Sequence, residues 1–395
     1  MKVLMINSVC GFGSTGRICT DLSDVLMENG YEVKIAYGRG NALKKYQKIS
    51  YRIGNNLGVK INGLKARLFD NEGFNAKTAT RKFLQWADSF NPDILHLHNL
   101  HGYYINVELL FNWIKSRPNM KVIWTLHDCW AFTGHCSHFD FAGCEKYKTQ
   151  CYNCSQKCEY PKTLLFDRSS KNYLEKKRSF LGVKNLEIIT PSNWLKEKVE
   201  SSFLKEYKVT TINNGIDLSV FKPTESKFKE RQGLQDKKIV LGIASVWTKR
   251  KGFYDFIALS KILPNEYKIV LVSVNKKQLK LLPKEILGIE KTNGINELVE
   301  IYSSSYVFVN PSLEETMGLT TVEALACGTP VIVYNKTAVP EVPNEKSGIV
   351  LKENNPKAIL DALGKLNINS EDCIARAKEF DKKIKYKEYL SVYEG

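Results

Sequence analysis

Residues 307–334, VFVNPSLEETMGLTTVEALACGTPVIVY, contain the pattern that decides the fold. An apolar run typical of a buried strand leads into a polar loop, and the helical pattern TVEALAC follows it. We expect Thr320 or Thr321 to cap this helix and Gly328 to end it before a second apolar run, PVIVY. A strand, a helix and a second strand in this order form the βαβ unit of parallel sheets.

The same alternation continues on both sides of this stretch. The first half of the chain contains the strand-like runs KVLMIN, EVKIAYG, ILHLH, KVIWTL and LEIITPS. A fresh series begins near Ile239 with KIVLGIAS, KIVLVSV, VFVNPS, PVIVY and GIVL. We therefore predict an α/β protein with two doubly wound parallel-sheet domains, which the segment NNGIDLSVFKPTES (213–226) connects.

The predicted domains span residues 1–215 and 216–375, and the charged tail from Ala375 is predicted to form one long helix. Ligands of open α/β sheets bind outside the carboxyl ends of the strands. We therefore expect a ligand in a cleft between two facing domains.

Composition excludes several classes of protein. The 395 residues are 43% hydrophobic and 25% charged, which are ordinary globular values and argue against a disordered or fibrous chain. No apolar run approaches the roughly 18 residues that a membrane span requires. Because VLMINS follows Lys2 directly and reads as a first strand, we expect no signal peptide and a cytoplasmic location.

The net charge of +16 is concentrated in one window. Residues 39–82 contain eleven Lys and Arg side chains but only two acidic ones, Asp70 and Glu72. Such a segment attracts phosphates, nucleic acid or an anionic lipid surface, or it is simply a solvated basic face. Nucleic-acid binding is disfavoured, because the charge lies in one domain and the aromatic residues show no repeated stacking pattern.

Inside this window, the segment LGVKINGLKARLF (57–69) has an apolar stripe at helical spacing. The stripe consists of Leu57, Ile61, Leu64 and Leu68. Two interpretations stay open: the stripe packs into the core, or it docks with its neighbouring cations on an anionic inner membrane.

A glycine-rich segment follows the first strand. CGFGSTG (10–16) fits G-x-G-x-x-G, but a dinucleotide site also needs an acidic residue after the second strand, and AYGRG (36–40) has none. We therefore do not expect NAD. The turn either holds a phosphate or sugar close to its backbone or is a purely structural tight turn.

Charged residues in the second half indicate an anion site. Glu315 lies in the loop after a strand, and the amides of Met317, Gly318 and Leu319 precede a helix, where anionic oxygens bind. Glu323 either contacts a ligand or completes a capping box with Thr320. The three consecutive cations at 249–251 end another strand and suit a diphosphate, although a charge run is also common on protein surfaces.

Together with HLH (96–98), TLHD (125–128), PSNW (191–194), NNGID and ACGTPV, these motifs resemble glycosyltransferase family 4 over nearly the whole chain. The resemblance implies the GT-B fold, with two Rossmann-like domains, and a C-terminal helix, about 376–395, that returns to the first domain. It implies a retaining transferase that moves a sugar from a nucleoside-diphosphate donor to a glycan or polyprenyl-diphosphate-linked acceptor in capsule, exopolysaccharide or lipopolysaccharide synthesis.

The resemblance also implies roles for individual residues. Glu323 would hold the nucleotide ribose, Glu315 the donor sugar and Lys251 the diphosphate. Arg250 is the candidate for a second phosphate contact, because Ser245 stands where many members have an arginine. The remaining expected donor contacts are the backbone from Gly13 to Gly16 and the loop residues Thr316, Met317, Gly318 and Leu319.

The expected mechanism needs no metal or other cofactor. The chain has no D-x-D motif, so cations and amides must stabilise the leaving diphosphate. No residue is an obvious nucleophile, so we expect the front-face reaction that the resemblance implies, in which the departing phosphate accepts the acceptor's proton. The resemblance makes His127 an active-site residue that orients the donor; the alternative is a structural histidine bonded to Asp128.

Six of the ten cysteines lie between Cys129 and Cys158. Four of them could form a structural zinc site, with spacings typical of an irregular zinc knuckle: Cys136, Cys144, Cys151 and Cys154. The alternative is a set of reduced, packed thiols, and a disulfide is not expected in a cytoplasmic chain. Because this cysteine-rich insert, residues 129–161, follows His127, we expect it to shape the acceptor side of the site.

Two other functions stay open. A sugar-nucleotide epimerase of the same fold would bind the donor but no acceptor. A basic nucleic-acid-binding protein would bind generic DNA with a strong salt dependence.

Overall fold

The computed structural model describes residues 1–395, which divide into two compact units. The first unit comprises Met1–Asn213 and Tyr386–Gly395, and the second comprises Asn214–Lys385. The sequence placed the first boundary two residues later and the return to the first unit about ten residues earlier.

Each unit contains one parallel sheet. The first sheet has seven strands in the order β3-β2-β1-β4-β5-β6-β7, and the second has six in the order β10-β9-β8-β11-β12-β13. The strands are β1 Lys2–Asn7, β2 Glu32–Tyr37, β3 Ser50–Arg52, β4 Ile94–Leu97, β5 Lys121–Thr125, β6 Leu186–Thr190, β7 Lys208–Thr211, β8 Lys238–Ile243, β9 Tyr267–Val272, β10 Ile286–Ile289, β11 Val307–Asn310, β12 Val331–Val333 and β13 Gly348–Val350.

Both sheets are doubly wound, as the sequence predicted. The strand order reverses beside the first strand of each unit, between β1 and β4 and between β8 and β11. Strands β3, β7 and β10 were not among the predicted runs. They are short and partly exposed, so they lack the continuous apolar stretch that marks a buried parallel strand.

Helices connect the strands and cover both faces of the sheets. The helices are α1 Gly13–Glu28, α2 Asn56–Phe69, α3 Lys77–Phe90, α4 Val107–Lys115, α5 Ser169–Phe180, α6 Asn193–Glu200, α7 Phe228–Gln232, α8 Phe253–Ser260, α9 Lys276–Leu279, α10 Ile295–Ser303, α11 Leu319–Ala326, α12 Pro356–Leu363, α13 Ser370–Lys378 and α14 Lys382–Glu394. None of them combines the length and the apolar character that a membrane-spanning segment needs.

The C-terminal tail is not the single long helix that its pattern predicted. It consists of α13 and α14, and the break between them pairs with Ile216. The Ile216 amide donates to the Phe380 carbonyl, and the Lys382 amide donates to the Ile216 carbonyl, both at 2.9 Å. Since Phe380 is buried in the core of the second unit, the chain gives up helical hydrogen bonds here to bury this side chain.

We expect Phe380→Ala to lower the free energy of unfolding of the second unit by about 3 to 4 kcal/mol, because it empties a buried aromatic site. Urea denaturation measures the change. Ile384→Ala is the matched control: this side chain is 52% exposed, and its loss should cost less than about 0.5 kcal/mol. Equal effects of the two substitutions would contradict the anchoring role of Phe380.

Candidate active site

In the second unit, two consecutive acidic residues in the loop after β11 pair with two consecutive cations after β8. Lys251 Nζ lies 2.5 Å from Glu315 Oε1 and also donates to the Glu314 carbonyl at 3.3 Å. Arg250 Nη1 lies 3.3 Å from Glu314 Oε2. The structure therefore brings Arg250, Lys251 and Glu315 together, as the proposed donor site requires.

The turn that carries the cations is held firmly against this loop. Thr248 caps a short 3-10 turn over Lys249–Lys251, and Gly252 ends it with a φ of 77°. A Cβ atom on Gly252 would lie 2.3 Å from Pro311 Cγ, so only glycine allows this approach. The Leu313 amide donates to the Arg250 carbonyl at 2.8 Å and fixes the turn to the loop.

The start of α11 differs from the sequence prediction. Neither Thr320 nor Thr321 caps the helix: Gly318 is at the N-cap with a φ of 88°, and no side chain caps the first turn. Thr321 Oγ1 instead accepts a hydrogen bond from Asn310 Nδ2 at 3.0 Å. The left-handed conformation of Gly318 turns the chain into the helix earlier than a threonine cap would, and leaves the first-turn amides without a capping side chain.

Glu323 therefore does not form the predicted capping box. Its Oε2 atom accepts a hydrogen bond from the Tyr302 hydroxyl at 2.9 Å. Burial, and then the neighbouring Glu323, raise the pKa of Tyr302 well above its ordinary value, so the hydroxyl keeps its proton and donates. The predicted end of the helix is confirmed, since Gly328 follows it with a φ of 78°.

The other predicted loop residues surround the start of α11. Met317 is buried, and its sulfur accepts a hydrogen bond from the Asn214 amide at 3.2 Å. Thr316 and Leu319 are half-buried. The loop, the two cations and the helix start thus form one continuous region at the carboxyl ends of β8 and β11.

In the first unit, the glycine-rich segment is partly helical. Helix α1 begins at Gly13, and no side chain caps it. A Cβ atom on Gly16 would lie 3.0 Å from Val9 Cγ2 and 3.2 Å from the Gly11 nitrogen, so Gly16 lets the turn pack on the helix. Gly13 has a φ of 65° and open space around its Cβ position. Packing therefore accounts for Gly16 but not for Gly13.

Three histidines lie together on two neighbouring parallel strands: His96 in β4, His98 directly after β4 and His127 shortly after β5. His98 Nδ1 lies 3.0 Å from His127 Nε2, and the two rings are nearly coplanar, with an interplanar angle of 10°. His96 Nε2 lies 2.8 Å from Thr125 Oγ1, and His96 Nδ1 lies 2.5 Å from the Tyr393 hydroxyl. The sequence indicated His127, but its contact with His98 depends on strand pairing.

These histidines are neutral at neutral pH. Burial lowers the pKa of His96 to about 3 and that of His127 to about 4, and it lowers the pKa of His98 well below its ordinary value. The low-dielectric surroundings penalise the charged imidazolium form. The cluster can therefore donate and accept hydrogen bonds but supplies no positive charge.

Asp128 is held by a histidine that the sequence analysis missed. Its carboxylate accepts a hydrogen bond from His101 Nε2 at 2.7 Å and from the Trp130 amide at 2.9 Å. Although burial acts in the opposite direction, the neighbouring His101 lowers the pKa of Asp128 to about 2. His101 Nδ1 lies 3.0 Å from the hydroxyl of Tyr160, which belongs to the cysteine-rich insert.

The cysteines of the insert are free thiols. Cys136 and Cys154 share a hydrogen bond, which lowers the pKa of the Cys154 thiol. No group of three or more His, Cys, Asp or Glu side chains in residues 1–395 has an arrangement that could hold a metal ion. The zinc site expected at Cys136, Cys144, Cys151 and Cys154 thus gains no support from the geometry and stays a prediction.

The apolar stripe of α2 is exposed, so its interpretation as part of the core is wrong for most of its length. Leu57, Ile61 and Leu64 belong to an apolar surface that continues into the loop 164–166, and its members are between 46% and 67% exposed. The remaining members are Phe69, Leu164, Leu165 and Phe166. The Phe69 and Phe166 rings stack at 6.0 Å, which joins the helix to the loop.

Solved structures with the same fold show which class of protein this fold defines. The structure of HepE from Anabaena in complex with UDP matches 100% of this chain and 100% of its own, with a TM-score of 0.70 and 14% sequence identity. At this identity the likeness shows the fold alone. Together with the two doubly wound sheets, it identifies the GT-B fold.

The sequence model of Glycosyltransferase Family 4 matches residues 15–220, more than half of the chain, and that of Glycosyl transferases group 1 matches residues 224–385. The chain therefore belongs to glycosyltransferase family 4.

Two curated relatives are similar over part of their length. The putative colanic acid biosynthesis glycosyl transferase WcaC of Escherichia coli is 28% identical over 231 residues, 55% of each chain. The N,N'-diacetylbacillosaminyl-diphospho-undecaprenol alpha-1,3-N-acetylgalactosaminyltransferase of Campylobacter jejuni is 28% identical over 210 residues, 48% of this chain and 55% of that protein. The chain spans about half the length of the curated relatives it matches.

Lowering the pH from 7 to 5 should reduce the free energy of unfolding of the first unit. A buried histidine whose pKa is lowered takes up its proton only on unfolding, so its contribution is lost as the pH falls below the unfolded value of about 6.5. Each such histidine should lower the free energy by about 2 kcal/mol at pH 5. Urea unfolding across this pH range measures the effect.

The matched variant is His96→Gln, whose amide can bond to both Thr125 and Tyr393 but does not titrate. Its pH dependence should be weaker than that of the natural chain by about 2 kcal/mol over the same range. An unchanged pH dependence would show that His96 is not neutral and buried as described.

Proposed function

We propose that the protein is a retaining, metal-independent glycosyltransferase that uses a nucleoside-diphosphate sugar in the synthesis of a cell-surface polysaccharide. The observation that carries this proposal is the joining of Lys251, Glu315 and the uncapped start of α11 in one region of the second unit. The names of the relatives from E. coli and C. jejuni support sugar transfer to a polysaccharide or a lipid-linked acceptor. The UDP complex of the HepE structure supports a nucleotide donor.

The paired charges suit a donor diphosphate. Lys251 and Glu315 are only 18% and 22% exposed, so the pair holds the lysine in place before any ligand arrives. The diphosphate would take Lys251 as its counter-ion, helped by Arg250 and the α11 amides. Glu315 would then accept hydrogen bonds from hydroxyls of the donor sugar, and Glu323 would do so from the ribose.

In the proposed reaction, the bond between the anomeric carbon and the diphosphate oxygen breaks. The acceptor oxygen bonds to the same face of that carbon, and its proton passes to the departing phosphate oxygen. The negative charge that develops on the nucleoside diphosphate is stabilised by Lys251, Arg250 and the helix amides, which are fixed in advance. We assign to His127 and to the Gly13–Gly16 backbone the role of orienting the donor.

We expect Glu315→Gln to lower kcat for sugar transfer at least 100-fold, because the neutral amide keeps only one acceptor oxygen and does not balance the charge of Lys251. Glu323→Gln should mainly raise KM for the donor. Transfer and donor hydrolysis are measured with UDP-, GDP- and dTDP-sugars. Glu345→Gln, an exposed site in the same unit, is the control and should leave both constants unchanged.

Full activity of Glu315→Gln would show that Glu315 does not contribute to the donor site. NMR of the product's anomeric proton tests retention of configuration. Undiminished transfer in excess EDTA is the outcome expected of metal-independent chemistry. Conversion of the donor sugar to its epimer, without transfer, would indicate an epimerase instead.

The proposal includes reversible contact between the exposed apolar surface and an anionic membrane, where a polyprenyl-linked acceptor would reside. The surface formed by α2 and the loop 164–166 has cations beside it, since Lys60, Lys65 and Arg67 are all exposed on the same helix. Apolar side chains that enter the lipid boundary and cations that face the headgroups are typical of interfacial helices.

Replacing Lys60, Lys65 and Arg67 with Ala should weaken binding to phosphatidylglycerol-containing vesicles at least tenfold, since each cation near the surface contributes about 1 kcal/mol. Vesicle sedimentation measures the binding. Replacing Leu165 and Phe166 with Ser should weaken it as well. The control replaces Lys171, Lys177 and Lys184, which are exposed elsewhere in the first unit. An equal loss of vesicle binding in this control would show that net charge, and not the surface at α2, determines the binding.

A further inference from the structure

We propose that His98 is a positioning residue that fixes the tautomer of His127: His98 donates its Nδ1 proton to His127 Nε2, so that His127 carries its own proton on Nδ1. The inference rests on the proposed function only for its catalytic consequence. The proton arrangement itself can be measured on the protein without substrate.

The contact between the two rings allows two arrangements. A hydrogen bond between His98 Nδ1 and His127 Nε2, at 3.0 Å, needs one proton between the two nitrogens. Either His98 donates from Nδ1, or His127 donates from Nε2. Both rings are neutral, so each arrangement also fixes the protonation of the remaining two nitrogens.

The other nitrogen of His98 decides between the two arrangements. His98 Nε2 is buried and has no hydrogen-bond partner. If His127 donated, the only proton of His98 would be on Nε2 and would form a buried, unpaired N–H. If His98 donates, Nε2 holds only a lone pair. Orphaned buried N–H groups are rarer in folded proteins than acceptors without a donor, so the second arrangement is favoured.

The surroundings keep the His98 ring in this orientation. Its backbone carbonyl accepts a hydrogen bond from Trp124 Nε1 at 3.1 Å, and its ring packs on that of His96 at 4.2 Å between centroids. His96 is itself fixed through both nitrogens by Thr125 and Tyr393. A flip of the His98 ring would place a carbon in front of His127 and lose the hydrogen bond.

The consequence concerns what His127 can offer to a ligand. With Nε2 engaged as an acceptor, the Nδ1 of a neutral His127 is a hydrogen-bond donor and cannot act as a base. His127 would then bind an oxygen of the donor sugar or phosphate and would not remove a proton from the acceptor. This role agrees with a reaction in which the leaving phosphate receives that proton.

The direct test is the 15N NMR spectrum of histidine-labelled protein at pH 7, with and without UDP. We expect His127 to show a protonated Nδ1 and an unprotonated Nε2. The matched variants are His98→Asn, which keeps an N–H donor close to the same position, and His98→Leu, which fills the space without one. His98→Leu should leave His127 as a mixture of tautomers and lower kcat about 100-fold with a smaller change in KM, as second-shell partners of reacting groups do.

His98→Asn should keep the Nδ1-protonated His127 and retain kcat within about threefold. A spectrum of the natural protein with the proton on His127 Nε2 would overturn the inference, and so would natural kcat in a folded His98→Leu variant. If no donor is turned over by the natural protein, the proposed function fails, while the spectrum still decides the tautomer.

Discussion

The carboxyl ends of adjacent parallel strands lie at the same edge of a sheet, and this constraint places the charged residues, the glycine turn and the histidines of the candidate site. In the second unit, β8 and β11 flank the point where the strand order reverses, and the cation turn and the acidic loop follow them. In the first unit, the glycine turn follows β1, and His98 and His127 follow β4 and β5. Residues distant in the chain become neighbours because their strands pair.

The two units differ in the charge that they can supply. The second unit presents two cations that are neutralised by two carboxylates, and a helix start whose amides add partial positive charge. The histidine cluster of the first unit is neutral, because burial removes the stabilisation of an imidazolium. In the proposed reaction, the positive charge that stabilises the leaving diphosphate comes from Arg250, Lys251 and α11.

Sequence reasoning predicted the strand-helix alternation because buried parallel strands are continuous apolar runs, and the fold followed from it. It failed where the backbone conformation differs from the one that the local residue pattern favours. The start of α11 offered two threonines, yet the left-handed Gly318 begins the helix instead. The tail had an uninterrupted helical pattern, yet the pairing of Ile216 with the segment around Phe380 breaks it. The break in the tail has no local signal, since it depends on a tertiary contact.

In the candidate site, too, the sequence indicated the types of residue but not the contacts between them. Lys251 and Glu315 were identifiable as charged residues after strands, but their ion pair joins positions 64 residues apart. The pairing of His98 with His127, and of His101 with Asp128, likewise required the register of β4 and β5. The sequence indicated which side chains are candidates for the chemistry, but it did not indicate which of them form hydrogen bonds or ion pairs with each other.

The cysteine-rich insert is tied to the site by polar contacts rather than by its thiols. Lys176 on α5 is fully buried, donates to the carbonyls of Trp130 and Thr133, and lies 3.5 Å from the centre of the Trp130 ring. Tyr160, near the end of the insert, bonds to His101, which holds Asp128. A buried lysine is costly unless its donors are paired, so these carbonyls and the indole ring fix the segment after His127 in one conformation. The rigidity of that segment keeps Asp128 and His101 in place beside the histidine cluster, and it does not depend on whether the cysteines bind a metal.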